Sequence, residues 1–228
     1  MNQSRASNGN RHNGTGNCRH RLGVGQNEAL WSAGKELAED FITANRLLTL
    51  LGFFNGHRLD AALQRMLDLA IEITKADFGT IQLVDPSTGT LQIAVQRGFR
   101  KEFLSFFRQV HHNQAACGTA FGSRSRVIVE DVTDSPVFTD NQMIEVLLGA
   151  GVRAVQSTPL ISRAGQPLGV ISTHYRTPGR PQERELTLLN ALVRSLSGFV
   201  ESRSRKAAEV TGVSPAKVYA KGPARRCV

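Results

Sequence analysis

The chain has 228 residues, 40% of them hydrophobic, and a formal net charge of +9. That length suits one domain of ordinary size plus tails. No apolar run approaches the ~20 residues of a membrane span, and the Asn-, Gly-, Ser- and Arg-rich N-terminus lacks the apolar stretch of a secretory signal.

Three scattered cysteines, Cys18, Cys117 and Cys227, form no CxxC pair. They read neither as a disulfide framework nor as a zinc site, but as reduced thiols of a cytoplasmic protein. The positive charge is uneven. Residues 1–27 carry four Arg and no acid, and residues 203–228 carry seven basic side chains against Glu209 alone. The stretch between has 17 basic and 18 acidic residues. The basic excess therefore belongs to the tails, which argues against nucleic acid as the partner of the folded part.

Residues 1–27 are too poor in apolar side chains to offset chain entropy and read as a disordered basic tail. Leu37, Phe41, Ala44, Leu48 and Leu51 follow helical spacing, so residues 28–57 read as a linker helix and the breaker Gly52–Gly56, with Trp31 exposed near its free end. A second helix carries Leu59, Leu63, Met66, Ala70 and Ile73 on one stripe. At Asp77 the period changes to two. Phe78–Val84 reads as a strand, Asp85-Pro86-Ser87-Thr88-Gly89 as a turn, and Leu91, Ile93 and Val95 as the inward positions of a second strand. Short helices are expected over 100–107, 116–122 and 139–149, with a short strand at Val127–Val129. Ala154–Ile161 and Leu168–Tyr175 form a second hairpin, and a long helix runs from Glu183 to about Arg203.

This order defines an α+β arrangement with an antiparallel central sheet. The N- and C-terminal helices cover one face, and the short helices and loops of 98–150 cover the other.

Three segments carry a family resemblance: ADFGTIQLVDPSTGTLQIAVQRGF, ACGTAFGSRSRVIVEDV, and VRAVQSTPLISRAGQPLGVISTHYRTPGRPQERELTLLNALV. Their order and spacing over residues 58–203 resemble GAF domains, a PAS-related fold, and in particular the GAF modules of bacterial sensor histidine kinases. The resemblance implies a sensory module of cytoplasmic, two-component-type signal transduction. Such a module binds a small molecule or a signalling protein and passes its state along terminal helices. No phosphoacceptor helix, ATP-binding region or cyclase block is read in this sequence, so the expected output is self-association or a partner. Residues 204–228 read as a basic C-terminal tail.

Some GAF families do chemistry, and each option meets a residue-level test. Cys117-Gly118-Thr119-Ala120 resembles free methionine sulfoxide reductases, which need a reactive thiolate and a resolving cysteine. The segment 135–153, where that family places the second cysteine, has none. Cys117 reads instead as a small buried thiol at a helix start. The Cys-His pair of bilin-binding GAF domains is absent from Thr139–Val146, and the Asn-Lys-x-Asp run of cyclic-nucleotide GAF domains is missing as well. Adjacent His111 and His112 would point to opposite faces of a strand and lack further ligands for a metal. No enzymatic activity is expected, and no cofactor is named by the sequence.

The strands carry polar residues where a doubly covered sheet would read apolar. Thr80 and Gln82 share a face opposite Ile81 and Leu83. Gln156 and Thr158 alternate with Val155 and Ser157, and Ser172 and His174 with Ile171 and Thr173. Two readings stand: a polar cavity beneath 98–150, or a set of buried, satisfied hydrogen bonds. For the cavity, the candidate lining is Thr80, Gln82, Cys117, Thr119, Phe121, Ser157, Thr173 and His174. Alternation alone leaves open which of Thr173 and His174 faces inward. Leu186, Leu189, Val193, Leu196 and Val200 form a stripe on the last helix that suits a helical seam, so a homodimer through the terminal helices is expected, the alternative being that the stripe only covers the protein's own sheet. A different class of function rests on Lys206–Tyr219, which resembles a helix, Gly turn and recognition-helix start of a DNA reader. It lacks the three-helix core that such a reader needs.

Overall fold

The computed structural model describes residues 59–138 and 140–211. The readings of 1–27, of the linker helix and Trp31, and of the chain beyond 211 lie outside the described residues. Helix α1 (Leu59–Thr74) enters first and buries Leu63, Met66, Ala70 and Ile73, the expected stripe, together with Ala62, Leu67 and Leu69. It stops at Lys75, which takes a left-handed φ of 52°.

Strand β1 (Phe78–Val84) then pairs antiparallel with β2 (Leu91–Arg97). Their turn is closed by the Asp85 carboxylate, which accepts from the Ser87 N–H at 2.8 Å and its hydroxyl at 2.7 Å. Gly89 supplies the positive φ, 71°, that the turn requires.

Five small elements follow: α2 (Lys101–Phe106), β3 (Gln109–Val110), α3 (Ala115–Ser123), β4 (Val127–Val129) and α4 (Asn141–Gly149). Asp140 caps α4 by accepting from the Gln142 N–H. The hairpin β5 (Ala154–Ile161) and β6 (Pro167–Tyr175) leads to α5 (Glu183–Thr211), whose first turn is tied by the Glu185 carboxylate accepting from the Gln182 N–H. Every element expected between residues 58 and 203 is present. Strand β3, only two residues long, gave no periodic signal. Helix α5 runs past the expected end near Arg203 to Thr211, because Lys206-Ala-Ala-Glu are good helix formers and no breaker precedes Gly212.

The sheet has the order β3-β2-β1-β6-β5-β4, with every neighbouring pair antiparallel. The two hairpins thus meet at a central β1–β6 pair. The approach is close at one point: a Cβ on Gly169 would sit 2.2 Å from the Gln82 carbonyl oxygen. Two apolar cores lie on the two sides of the sheet. Ile81, Leu160, Leu168 and Ile171 pack with α1 and α5. Phe78, Leu91, Val155 and Val170 pack with the 98–150 segment. The α5 stripe, Leu186, Leu189, Val193, Leu196 and Val200, is buried within the single chain.

Candidate functional site

Strand alternation sends Thr80 and Gln82 of β1, Ser157 of β5, and Ser172 and His174 of β6 to the face away from the terminal helices. There they line an inner chamber of about 20 Å³, room for one water-sized molecule. Ala115, Ala116 and Cys117 of α3 form one wall, and Phe103, Phe107, Phe138 and Leu147 close it from the cap. The start of α3 is held under strain: Ala115 takes a φ of 55°, a left-handed conformation that costs a residue with a Cβ about 1–2 kcal/mol. Helix α3 also lies very close to the preceding loop, since a Cβ on Gly118 would meet the His111 carbonyl oxygen at 2.2 Å.

The chamber's polar groups are unevenly satisfied. Ser157 and Ser172, directly opposed in the β5–β6 register, share a hydrogen bond of 2.8 Å. By contrast, Gln82 Oε1 and His174 Nδ1 are buried without any partner. Among the described residues only one other buried side-chain atom, Arg153 Nε, shares that condition. Burial drives the His174 imidazole down to about 3, so it is neutral at physiological pH. Its ring meets Phe99 edge-on at 5.0 Å and Phe103 at 5.9 Å. Cys117 is pushed up to about 11 by burial, only partly offset by main-chain N–H groups and the Gln82 amide. At neutral pH about one molecule in ten thousand would carry the thiolate, which leaves the sulfur a packing group.

Five of the eight candidates, Thr80, Gln82, Cys117, Ser157 and His174, come together here, and three do not. Thr119 lies about 200° round α3 from Cys117 and donates to the Ala115 carbonyl at 2.8 Å. Phe121 sits about 6 Å further along the helix, where its ring stacks on His112 at 4.2 Å. Thr173 faces the terminal helices, where its hydroxyl donates to Gln156 Oε1 at 2.9 Å and contacts the Tyr175 hydroxyl at 3.0 Å. Of the pair that alternation left open, His174 is the inward one. Ser172 was missed, although the pairing of β5 with β6 and its shared face with His174 would have placed it. The aromatic lid had no comparable signal, because Phe103 on α2, Phe107 at its end and Phe138 in a distant loop meet only through the tertiary fold.

Elsewhere, Asp131 closes a turn at the end of β4 rather than forming an acid–base pair with Glu130. It accepts from the Thr133 N–H and hydroxyl and pairs with Arg153 at 2.7 Å, contacts that hold it down to about 2. Among the described residues no three His, Cys, Asp or Glu side chains converge as a metal-binding group, and no helix is long and apolar enough to cross a membrane.

A sheet between terminal helices and an irregular cap, with a small chamber under the cap, is the layout of a GAF-fold sensor domain. The GAF domain family model matches residues 56–201, and the chain belongs to that family. A methyl sulfide methyltransferase-associated sensor of Methanosarcina acetivorans is 27% identical over 157 residues. That match covers 68% of this chain but only 15% of the relative's length. Among solved structures, a domain of a two-component sensor histidine kinase protein from Sinorhizobium meliloti superposes with a TM-score of 0.56 at 21% identity, covering 70% of this chain and all of that one. The free methionine-R-sulfoxide reductase of Neisseria meningitidis, in complex with its substrate, superposes at 0.58 with 20% identity, covering 72% and 91%. Both likenesses are of fold.

Proposed function

We propose that this chain is a cytoplasmic sensory module that binds a small molecule or a partner protein on the cap side of its sheet and performs no catalysis. The observation that carries this reading is the pair of buried, unpartnered atoms, Gln82 Oε1 and His174 Nδ1, in side chains lining one chamber. A fold leaves buried polar atoms unpaired at a cost of about 1–3 kcal/mol each, and a bound group with a hydrogen to donate would recover it. The sensor relative and the sensor-kinase neighbour agree with this reading. A ligand larger than water enters the chamber only as α2 and α4 move away from the sheet.

Output through self-association belongs to the same proposal. Because the α5 stripe is consumed inside the chain, a homodimer through the terminal helices has to use their outer faces, where Thr187, Asn190 and Arg194 are exposed. Light scattering at tens of micromolar tests it, and a monomer mass contradicts it.

Two competing readings have direct assays. The superposition on a methionine sulfoxide reductase and the place of Cys117 in the chamber favour an enzyme; the suppressed thiolate opposes it. Turnover of free methionine sulfoxide that disappears in Cys117→Ser would establish the enzyme. A salt-sensitive DNA shift that needs the basic tail would establish a DNA-associated regulator.

The sensing reading is tested by native mass spectrometry of the full chain purified under mild conditions. A retained small molecule that is lost in Gln82→Leu at unchanged stability supports it. A protein that carries nothing, and whose melting temperature no metabolite raises, contradicts it.

A further inference from the structure

With α2 and α4 closed over it the chamber holds one water-sized molecule, but a second concavity is larger. A cleft of about 590 Å³ opens between the start of α2 and the end of α4, within the range of small-molecule sites. Its floor is backed by three aromatic rings: Phe78 stacks on Phe99 at 5.2 Å and Phe99 on Phe103 at 3.6 Å, and because each is more than nine-tenths buried they turn edges rather than open faces to the cleft. Its far wall carries Leu148, 40% accessible and the one large apolar side chain left exposed among the described residues.

Three charged side chains line it: Arg100, Arg176 and Glu102. Arg176 lies flat over the Phe78 ring, 4.4 Å from its centre. Asp77 accepts from its main-chain N–H and pairs with Nε at 3.5 Å, which fixes the guanidinium by one edge. A terminal nitrogen stands 2.9 Å from where a Cβ on Gly151 would be, so the glycine makes room for it in the cleft wall. The Arg100 side chain has no ionic or hydrogen-bonding partner among the described residues. The carbonyls of Val146, Leu147 and Leu148 near the end of α4 are satisfied by the N–H groups of Ala150, Gly151 and Val152.

We propose that this cleft is a binding site, separate from the chamber, for a small organic monoanion with a flat apolar body. The carboxylate meets Arg100 and Arg176 at the mouth, and the body packs on the exposed Leu148 and against the edges of Phe78, Phe99 and Phe103. Asp77 already engages Arg176 and Glu102 lines the same cleft, so the preference for a single carboxylate rests on the unpartnered Arg100 side chain, and charge-assisted bonds to Arg set its strength. Phe103 also lines the chamber and touches His174, so an occupant of the cleft acts on the chamber's lid through one ring.

The test is titration of the full chain with phenylacetate and indole-3-acetate, followed by NMR, with uncharged phenylacetamide as control. Saturable binding of the carboxylates is expected, with shifts at the Leu148 methyls. Arg100→Ala and Arg176→Ala should each weaken it by about tenfold or more, and phenylacetamide should lose a similar factor. The exposed variant Leu148→Glu should repel the anion, while Ser125→Ala, exposed and away from both the cleft and the chamber, should leave binding unchanged. Three results overturn the proposal: no saturable shift up to millimolar probe, equal binding of the amide and the acids, or binding lost in Gln82→Leu and retained in the arginine variants. The last would move the ligand to the chamber and speak for the sensing reading alone.

Discussion

The two faces of the sheet carry polar residues in similar numbers and treat them in opposite ways. On the helix face, Gln156 Nε2 donates to the Thr158 hydroxyl and its oxygen accepts from Thr173. The Thr158 oxygen also accepts from Arg126 Nε at 2.8 Å, and Arg126 reaches Asn190 on α5. Every one of these groups has a partner, and the network joins β5, β6 and the residue preceding β4 to the last helix. On the cap face Ser157 and Ser172 satisfy each other, but Gln82 of β1 and His174, next to Thr173 on β6, end in atoms with no partner. A buried polar network stabilises and specifies a fold only when it is completed. The helix face is therefore framework, and the cap face retains an unmet demand for hydrogen bonds.

The largest effect should come from the framework. Leu192 is fully buried between α5 and the sheet, and Leu192→Ala should cost about 2–5 kcal/mol in urea unfolding, the range for a cavity that cannot collapse. A loss below about 1 kcal/mol would mean that α5 packs loosely and that the two faces are less different than described.

The next effect belongs to the cap face and depends on pH. In the unfolded chain His174 takes up its proton near 6.5, whereas in the fold burial delays this to about 3. Between those values the unfolded state holds the extra proton, so stability falls as pH drops, by up to about 1.4 kcal/mol per pH unit. Above 6.5 the group contributes no slope. Asp131 acts in a lower window, its contribution present above 3.8 and lost as pH falls through about 2. His174→Leu should therefore flatten the stability curve above pH 3.8 and leave the steeper acid limb in place. An unchanged slope between 3.8 and 6.5 would show that the imidazole is hydrated in the fold.

Cys117 should give the smallest signal. With its thiol held at about 11 behind the cap, it should alkylate with iodoacetamide at neutral pH only as fast as the cap opens, far more slowly than in urea. Peptide mapping would show it, and rapid native labelling would instead indicate an open chamber.

Much of this contrast was legible in the sequence, for a physical reason. Alternation fixes sides, so Thr80 and Gln82 could be placed opposite Ile81 before any coordinates. Spacing likewise fixed the buried stripes of α1 and α5. Which side Thr173 or His174 takes depends on the pairing of β6 with β1 and β5, a long-range fact that no local period contains. The aromatic lid and the outer cleft are assembled by irregular chain between short helices, and there the sequence offers composition without direction. The continuation of α5 to Thr211 had a propensity signal in Lys206-Ala-Ala-Glu, outweighed by reading the basic charge as the onset of a tail.

The distinction between a completed and an incomplete face is tested most directly by one pair of equal substitutions. Urea unfolding of Gln156→Leu and Gln82→Leu removes one buried amide from each side of the same sheet. The helix-face variant should lose about 1–3 kcal/mol, because Thr158 and Thr173 are left without the bonds they now make. The cap-face variant should stay within about 0.5 kcal/mol of the parent or gain stability, because it removes a buried oxygen that has no partner. Equal losses in the two variants would contradict the account, since Gln82 would then be as much a part of the framework as Gln156.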